Sequence, residues 1–263
     1  MEKAVPARAT GLFRERPIAP FLRGAFASAW IHRIPKAVAP PIIVAPDGTI
    51  DLQWIGGTFR VAGPDRDPKI EILPAGTTVI GFRFQPAAAA AWLGTSAAEM
   101  LGVRLPLEEL WGSRARRLLS NVRNTDDVAE LIVSLENVVA QCVPERESAD
   151  AAMRAAYELI HRGAPPGTRL VPWLARALSM SERTLRRRFD EAFGYGPKTL
   201  DRILRYRRFL DLARVSKGST AILALEAGYS DQAHLVRESR RLTGSTPMQL
   251  ARIISAGGVS DRR

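Results

Sequence analysis

The chain has 263 residues, enough for two domains each with its own core. Its 38 Lys+Arg against 27 Asp+Glu point to a polyanionic partner, and its single cysteine, Cys142, excludes an intrachain disulfide and fits a reducing compartment. No run approaches the length of a membrane span, and the start has no apolar stretch of signal-peptide length, so a cytoplasmic protein with no membrane partner is expected. The charge is unevenly placed. Residues 1–162 hold 19 basic and 18 acidic side chains, residues 163–263 hold 19 and 9. The excess therefore sits in the last hundred residues, as in a nucleic-acid binder. A basic membrane-surface domain would expose large apolar residues opposite its cations. Here the apolar stripes are better used between helices.

Residues 1–17 are polar and arginine-bearing and read as a loose lead-in. From Pro20, FLRGAFASAWIHRI is either a short helix or a strand approach. His32 is one of three histidines in the chain, and no other metal ligand clusters with it, so it is read as structural or surface and no metal or cofactor is expected. From about 42 to 84 the period is two. Ile50, Leu52 and Trp54 alternate with Asp51 and Gln53, Gly56-Gly57 allows a tight reversal, and Ile80, Phe82 and Phe84 oppose Val79, Gly81 and Arg83. Short strands at this spacing predict a small antiparallel sheet or barrel. Helices are expected over about 87–142, beginning with the alanine-rich 87–102. A stripe through 128–139, including Leu131, Leu135 and Val138, suits either core packing or a homodimer contact. An N-terminal domain of 1–143 follows. The apolar inner faces offer Trp30, Trp54, Phe59, Phe82, Phe84 and Trp92 as the lining of an effector pocket, or simply as aromatic core.

The second domain is expected over 149–255, with a first helix at 149–161 closed by Gly163 and the Pro165-Pro166-Gly167 break. LVPWLARALSM (Leu170 to Met180) is a short apolar helix. SERTLRRRFDEAFGYGP (Ser181 to Pro197) follows, with Ser181 as N-cap and Gly194 as terminator. Its Leu185 and Phe189 share one face, while Arg183, Arg186 and Arg187 share another. Helix, tight turn, cationic helix is the pattern of a helix-turn-helix. A long helix over 199–215 comes next. Sliding the chain by fifty residues then yields a second copy, ILALEAGYSDQAHLVRESRRLTGSTP (Ile222 to Pro247). Leu185 falls on Leu235, Arg187 on Arg237, Gly194 on Gly244 and Pro197 on Pro247. A repeat of a whole helix-turn-helix unit is hard to ascribe to a chance run of charge.

The phrase ALEAGYSDQAHLVRESRRLTGSTP and the repeat around it resemble the paired helix-turn-helix domain of the AraC/XylS family of bacterial transcription regulators. The resemblance implies an α+β protein, whose N-terminal sheet domain precedes an all-α domain of about seven helices. One long helix would join two helix-turn-helix units, and both recognition helices would enter successive major-groove segments of double-stranded DNA. PDGTIDLQW, GFRFQPAAAAAWLG and LEELWG also resemble a module found ahead of such domains. By analogy this half would bind a small-molecule effector, dimerise, or both, and an activator would also meet RNA polymerase.

The resemblance places base-reading side chains at Arg183, Arg186 and Arg187, and at Gln232, Ala233, His234 and Arg237 in the second unit. Arginine can read guanine with roughly 1–3 kcal/mol of discrimination, glutamine reads adenine, and alanine touches a thymine methyl. Arg188, Lys198, Arg202, Arg240 and Arg241 are expected on phosphates, where they set affinity and salt dependence. Three positions depart from the family. Ser239 and Leu235 stand where aromatics are usual, so the second unit is expected to pack loosely unless a neighbour fills the gap. Ser179 replaces the usual glycine of the first turn. The competing classes are an architectural DNA-binding protein and a DNA-tethered enzyme. The second lacks an activated cysteine, a zinc-thiolate cluster, a carboxylate pair or a Ser-His-Asp set.

Overall fold

The computed structural model describes residues 4–37, 39–123, 125–142, 150–165, 167–216 and 218–250. The expected domain break between 143 and 149 lies outside them, as do residues 251–255 of the expected DNA-binding domain. The first half holds two sheets. The smaller has β1 (Val5–Pro6), β4 (Ile42–Val44) and β7 (Lys69–Glu71) in the order β1-β4-β7. The larger runs β2 (Leu12–Pro17), β3 (Phe26–Arg33), β8 (Thr78–Phe84), β5 (Asp51–Ile55), β6 (Thr58–Ala62) and β9 (Arg104–Pro106), all antiparallel. Two strands, Val5–Pro6 and Leu12–Pro17, thus stand in place of the expected loose lead-in, and β1 pairs with β4 in parallel. FASAWIHR is a strand, with Trp30 opposite Gly81 of β8. The β5–β6 hairpin turns on Gly56 and Gly57, whose φ values of 58° and 82° are those a two-residue primed turn requires.

The period-two pattern sorts the large sheet into two faces with different fates. Leu52, Phe59, Val61, Ile80, Phe82 and Phe84 meet the helices that follow, α1 (Ala89–Leu93), α2 (Leu107–Trp111), α3 (Ser113–Ser120) and α4 (Val128–Ala140), in one core. The helix expected over 87–102 is only five residues long, because Gly94 turns left-handed at φ 76°. Leu135 and Val138 of α4 are buried in this core and Leu131, partly buried, packs against it, the first of the two uses expected for the stripe. The other face carries Trp30, His32, Asp51, Gln53, Arg60, Val79, Arg83 and Arg104 and looks toward the small sheet.

The second half is helical: α5 (Ala151–Arg162), α6 (Leu170–Ala177), α7 (Glu182–Phe193), α8 (Pro197–Val215), α9 (Thr220–Glu226) and α10 (Gln232–Thr243), with residues 247–250 helical beyond. They share one core, built on Leu185, Phe189, Leu200, Leu204, Tyr206, Phe209 and Leu235. Ala87 of the first half, at φ 63°, is buried in this same core. The seam between the halves continues at the ends of α7 and α10. The Ala97 amide donates to the Glu191 carbonyl at 2.9 Å. A side-chain carbon on Gly194 would lie 2.8 Å from the Ala97 carbonyl oxygen, and one on Gly244 would lie 3.7 Å from Ile43 of β4.

Candidate nucleic-acid interface

The first unit is α6, its turn and α7. Two backbone hydrogen bonds close the turn, Ser179 N–H to Arg176 at 3.1 Å and Met180 N–H to Ala175 at 2.9 Å, with Ser179 left-handed at φ 52°. Ser181 caps α7 by accepting the Thr184 amide at 3.1 Å. Leu185, Phe189 and Phe193 are buried, which turns the opposite face outward. Arg183, Arg186 and Arg187 are exposed there. Arg186 pairs with Glu182 at 3.2 Å and Arg187 with Glu191 at 2.7 Å, both on the surface. Such pairs hold loosely in water and yield readily to a stronger anion.

The second unit, α9 to α10, repeats the turn. Gly228 N–H bonds Leu225 at 3.0 Å and Tyr229 N–H bonds Ala224 at 2.9 Å. Asp231 caps α10 by accepting the His234 amide at 2.6 Å, and that bond holds its carboxyl below the usual range. Gln232, Ala233 and Arg237 are exposed, and so are Lys198, Arg240 and Arg241. His234 is engaged in the turn instead. Its Nδ1 lies 3.2 Å from the Ser230 hydroxyl, and its ring stands edge-on to Tyr229 at 5.2 Å.

Two expected phosphate contacts are turned inward. Arg188 makes a two-pronged pair with Asp150, Nε to Oδ2 at 2.9 Å and a second bond to Oδ1. Asp150 also caps α5, accepting the Ala152 and Met153 amides. Arg202 of α8 lies 3.4 Å from Glu238 of α10, both largely buried. Burial first, then the nearby Arg241 charge, pulls the Arg202 pKa down. Nor is Ser239 a hole. It is fully buried, its hydroxyl donates to the Ser245 carbonyl at 2.8 Å, and the Tyr206 hydroxyl from α8 meets it at 3.0 Å. Tyr206 fills the gap that the serine leaves, so the second unit is closely packed.

A cavity of about 280 Å³ lies between the two sheets, and α8 closes it with Arg207, Leu210 and Arg214. Of the six aromatics expected to line a pocket, Trp30 lines this cavity, stacked on Phe13 at 5.6 Å, and Phe84 lines a second cavity. Phe59, Phe82, Phe84 and Trp92 are core, and Trp54 packs edge-on against Phe59 at 4.9 Å. The cavity wall is a set of paired charges. Arg83 lies within 3.4 Å of Asp47, Asp51 and Glu15, Arg104 bonds Asp65 and Glu71 at 2.6 Å, and Arg60 bonds Glu71 at 2.7 Å. Burial raises the Asp51 carboxyl despite Arg83 beside it. Arg207 donates to the Asp47 carbonyl at 2.8 Å, tying α8 to the sheet domain. The second cavity, about 360 Å³, lies along the seam beside Tyr157, Phe193 and Arg207. Among the described residues no group of His, Cys, Asp or Glu could hold a metal ion, and no helix is long and apolar enough to cross a membrane.

Residues 174–253 match the family model of a helix-turn-helix domain. This is an AraC-type helix-turn-helix domain, a DNA-binding module of transcription regulation. Comparison with curated proteins gives no match. Among solved structures, ToxT from Vibrio cholerae O395 is similar at a TM-score of 0.50 and 11% identity, over 94% of this chain and 99% of that one. It shares the two-domain fold. Unsaturated fatty acid bound wild-type ToxT from Vibrio cholerae strain SCE256 stands at 0.43 and 10%, over 93% and 96%. The AraC-like transcriptional activator CuxR stands at 0.19 and 16%, over 77% and 79%.

Proposed function

We propose that the chain is a sequence-specific transcription regulator that reads two successive major-groove segments of double-stranded DNA, with its N-terminal domain setting that activity by binding a small molecule. The observation that carries the reading is the repeated presentation of exposed polar side chains from two helices on one core. Arg183, Arg186 and Arg187 stand on α7, and Gln232, Ala233 and Arg237 on α10. These are the residue types that read base edges. Lys198, Arg240 and Arg241 remain as phosphate contacts. His234 serves its own turn, and Arg188 and Arg202 serve the fold. The effector half of the proposal rests on the cavity between the sheets. Its wall includes residues of both domains, so an occupant would touch both.

The test is selection of genomic fragments by the purified protein, then titration of the enriched duplex against a scrambled one at physiological salt. A preference of roughly a thousandfold or more marks a specific binder. A ratio near one, unchanged when small-molecule cell extract is added, would refute the proposal and favour an architectural protein.

A further inference from the structure

We infer that Arg208 is a positioning residue that fixes the spacing of the two helix-turn-helix units by gripping the carboxyl-terminal end of one helix from each. The inference rests on the reading that both units engage one duplex. Arg208 projects from α8, against which α5, α6, α7, α9 and α10 all pack. Its Nη2 donates to the carbonyls of Ile160 and His161, at 3.1 and 2.8 Å, in the last turn of α5. Its Nη1 donates to the carbonyl of Ala227, at 2.9 Å, just past α9. All three acceptors are main-chain oxygens at helix ends, where unsatisfied carbonyls and the negative end of the helix dipole favour a cation.

The two helix ends are shaped alike to receive it. Gly163 closes α5 at φ 95° and Gly228 follows α9 at φ 94°. A side-chain carbon on either would sit 3.5 or 3.6 Å from the Arg208 guanidinium. One planar, forked group therefore spans from the helix that buttresses the first recognition helix to the first helix of the second unit. A lysine ammonium is a point donor and cannot hold two separated ends in this way. Without the fork, the α5 end and the α9 end are related through the common apolar core and their packing on α8, neither of which has the directionality of a hydrogen bond. That matters for DNA, because half-sites lie about one helical turn, ~34 Å, apart and each inserted base pair turns the second by about 35°.

The test uses the full chain and two readouts. In the first, wild type and Arg208→Gln are titrated on the selected duplex and on versions with one base pair added or removed between the half-sites. Wild type is expected to lose about tenfold or more per step, on the scale of a mismatched base pair, and the variant less than about threefold. A wild-type penalty kept intact in the variant overturns the inference. Absence of any preferred duplex for wild type would instead be a failure of the DNA-reading proposal. The second readout needs no DNA. Spin labels at the exposed positions of Ala177 and Glu226, in a Cys142→Ser background, report the distance between the ends of α6 and α9. The distribution broadens in folded Arg208→Gln if the inference holds, and one as narrow as wild type overturns it. If the glutamine variant does not fold, Arg208→Lys takes its place with the same expectation. Failure of both to fold would make the residue a general support and overturn its assignment to spacing.

Discussion

The link between Tyr206 and Ser239 gives the most direct check on how the second recognition helix is held. The Ser239 hydroxyl hydrogen is used on the Ser245 carbonyl, so the Tyr206 hydroxyl is the donor between the pair. Tyr206→Phe removes that donor and leaves Ser239 with its other bond, for a cost of about 1 kcal/mol. Ser239→Ala is worse, because it removes both the bond to the Ser245 carbonyl and the acceptor of the Tyr206 hydroxyl, which keeps only its weaker partner Thr243, at roughly 1–3 kcal/mol. Ser245 is less affected, since the Thr243 hydroxyl also reaches its carbonyl, at 3.2 Å. The double variant has no stranded group and should cost little more than Tyr206→Phe alone, a coupling of about 1 kcal/mol. Restoring the family's aromatic by Ser239→Phe should not help. It pushes a ring into space that Tyr206 already fills, and overpacking costs about 1–3 kcal/mol. Urea unfolding followed by helical circular dichroism measures all four. Equal costs for the two single variants, or a double variant that is simply additive, would refute the argument.

Four further outcomes are expected. Arg186→Ala should relax preference at one base of the selected site by roughly 1–3 kcal/mol, whereas Arg240→Ala should weaken all duplexes alike and reduce the salt slope by about one, both read by titration across salt. Arg188→Ala should leave the salt slope unchanged and lower stability by about 1 kcal/mol through loss of its pair with Asp150, read in the same titrations and in urea. Ser179→Gly should raise the unfolding midpoint, by up to about 1 kcal/mol, because a serine at φ 52° is strained where glycine is not. Burial lowers the His32 pKa from 6.5, so the unfolded chain binds a proton that the folded one refuses. Stability should therefore fall as pH drops below 6.5, and a His32→Gln chain compared at pH about 7.5 and 5.5 should lose that dependence.

The helical half was legible because its signals are local. Ser181 and Gly194 bound a helix whose apolar and cationic stripes follow from spacing alone, and the fifty-residue offset exposed the second unit. Aromatic residues misled in the sheet half for a reason the same period-two rule contains. Leu52, Phe59, Phe82 and Phe84 lie on the face that meets the helices, so the cavity had to form on the other face, among Asp51, Gln53, Arg60 and Arg83. Looking for a pocket where the apolar side chains were densest selected the core. The strands before residue 17 escaped notice because their partners, Ile42 and Arg33 among them, are distant in sequence. Arg188, Arg202 and Arg208 could not be told from DNA-facing arginines, since their partners Asp150, Glu238 and the Ala227 carbonyl come together only in three dimensions.

Where the halves touch bears on how one could control the other. The base-reading candidates on α7 begin at its first turn, and all but His234 are exposed with the N-terminal domain in place. The contacts of that domain fall at the opposite ends of the recognition helices, Ala97 on Glu191 and Gly194, and Ile43 beside Gly244. A domain seated there does not cover the reading surface. It grips the tail of each recognition helix, while Arg207 ties the connector helix between them to the loop at Asp47. Any change in the sheets that moved Ile43 relative to Ala97 would tilt one unit against the other. Ile43 also lines the cavity between the sheets, whereas Ala97 belongs to the core on the far face of the large sheet. An occupant of that cavity would therefore act on α8 directly, on the end of α10 through Ile43, and on α7 only through the large sheet. Control of this kind works through the geometry of two half-sites, so its effect should be largest on duplexes that require both.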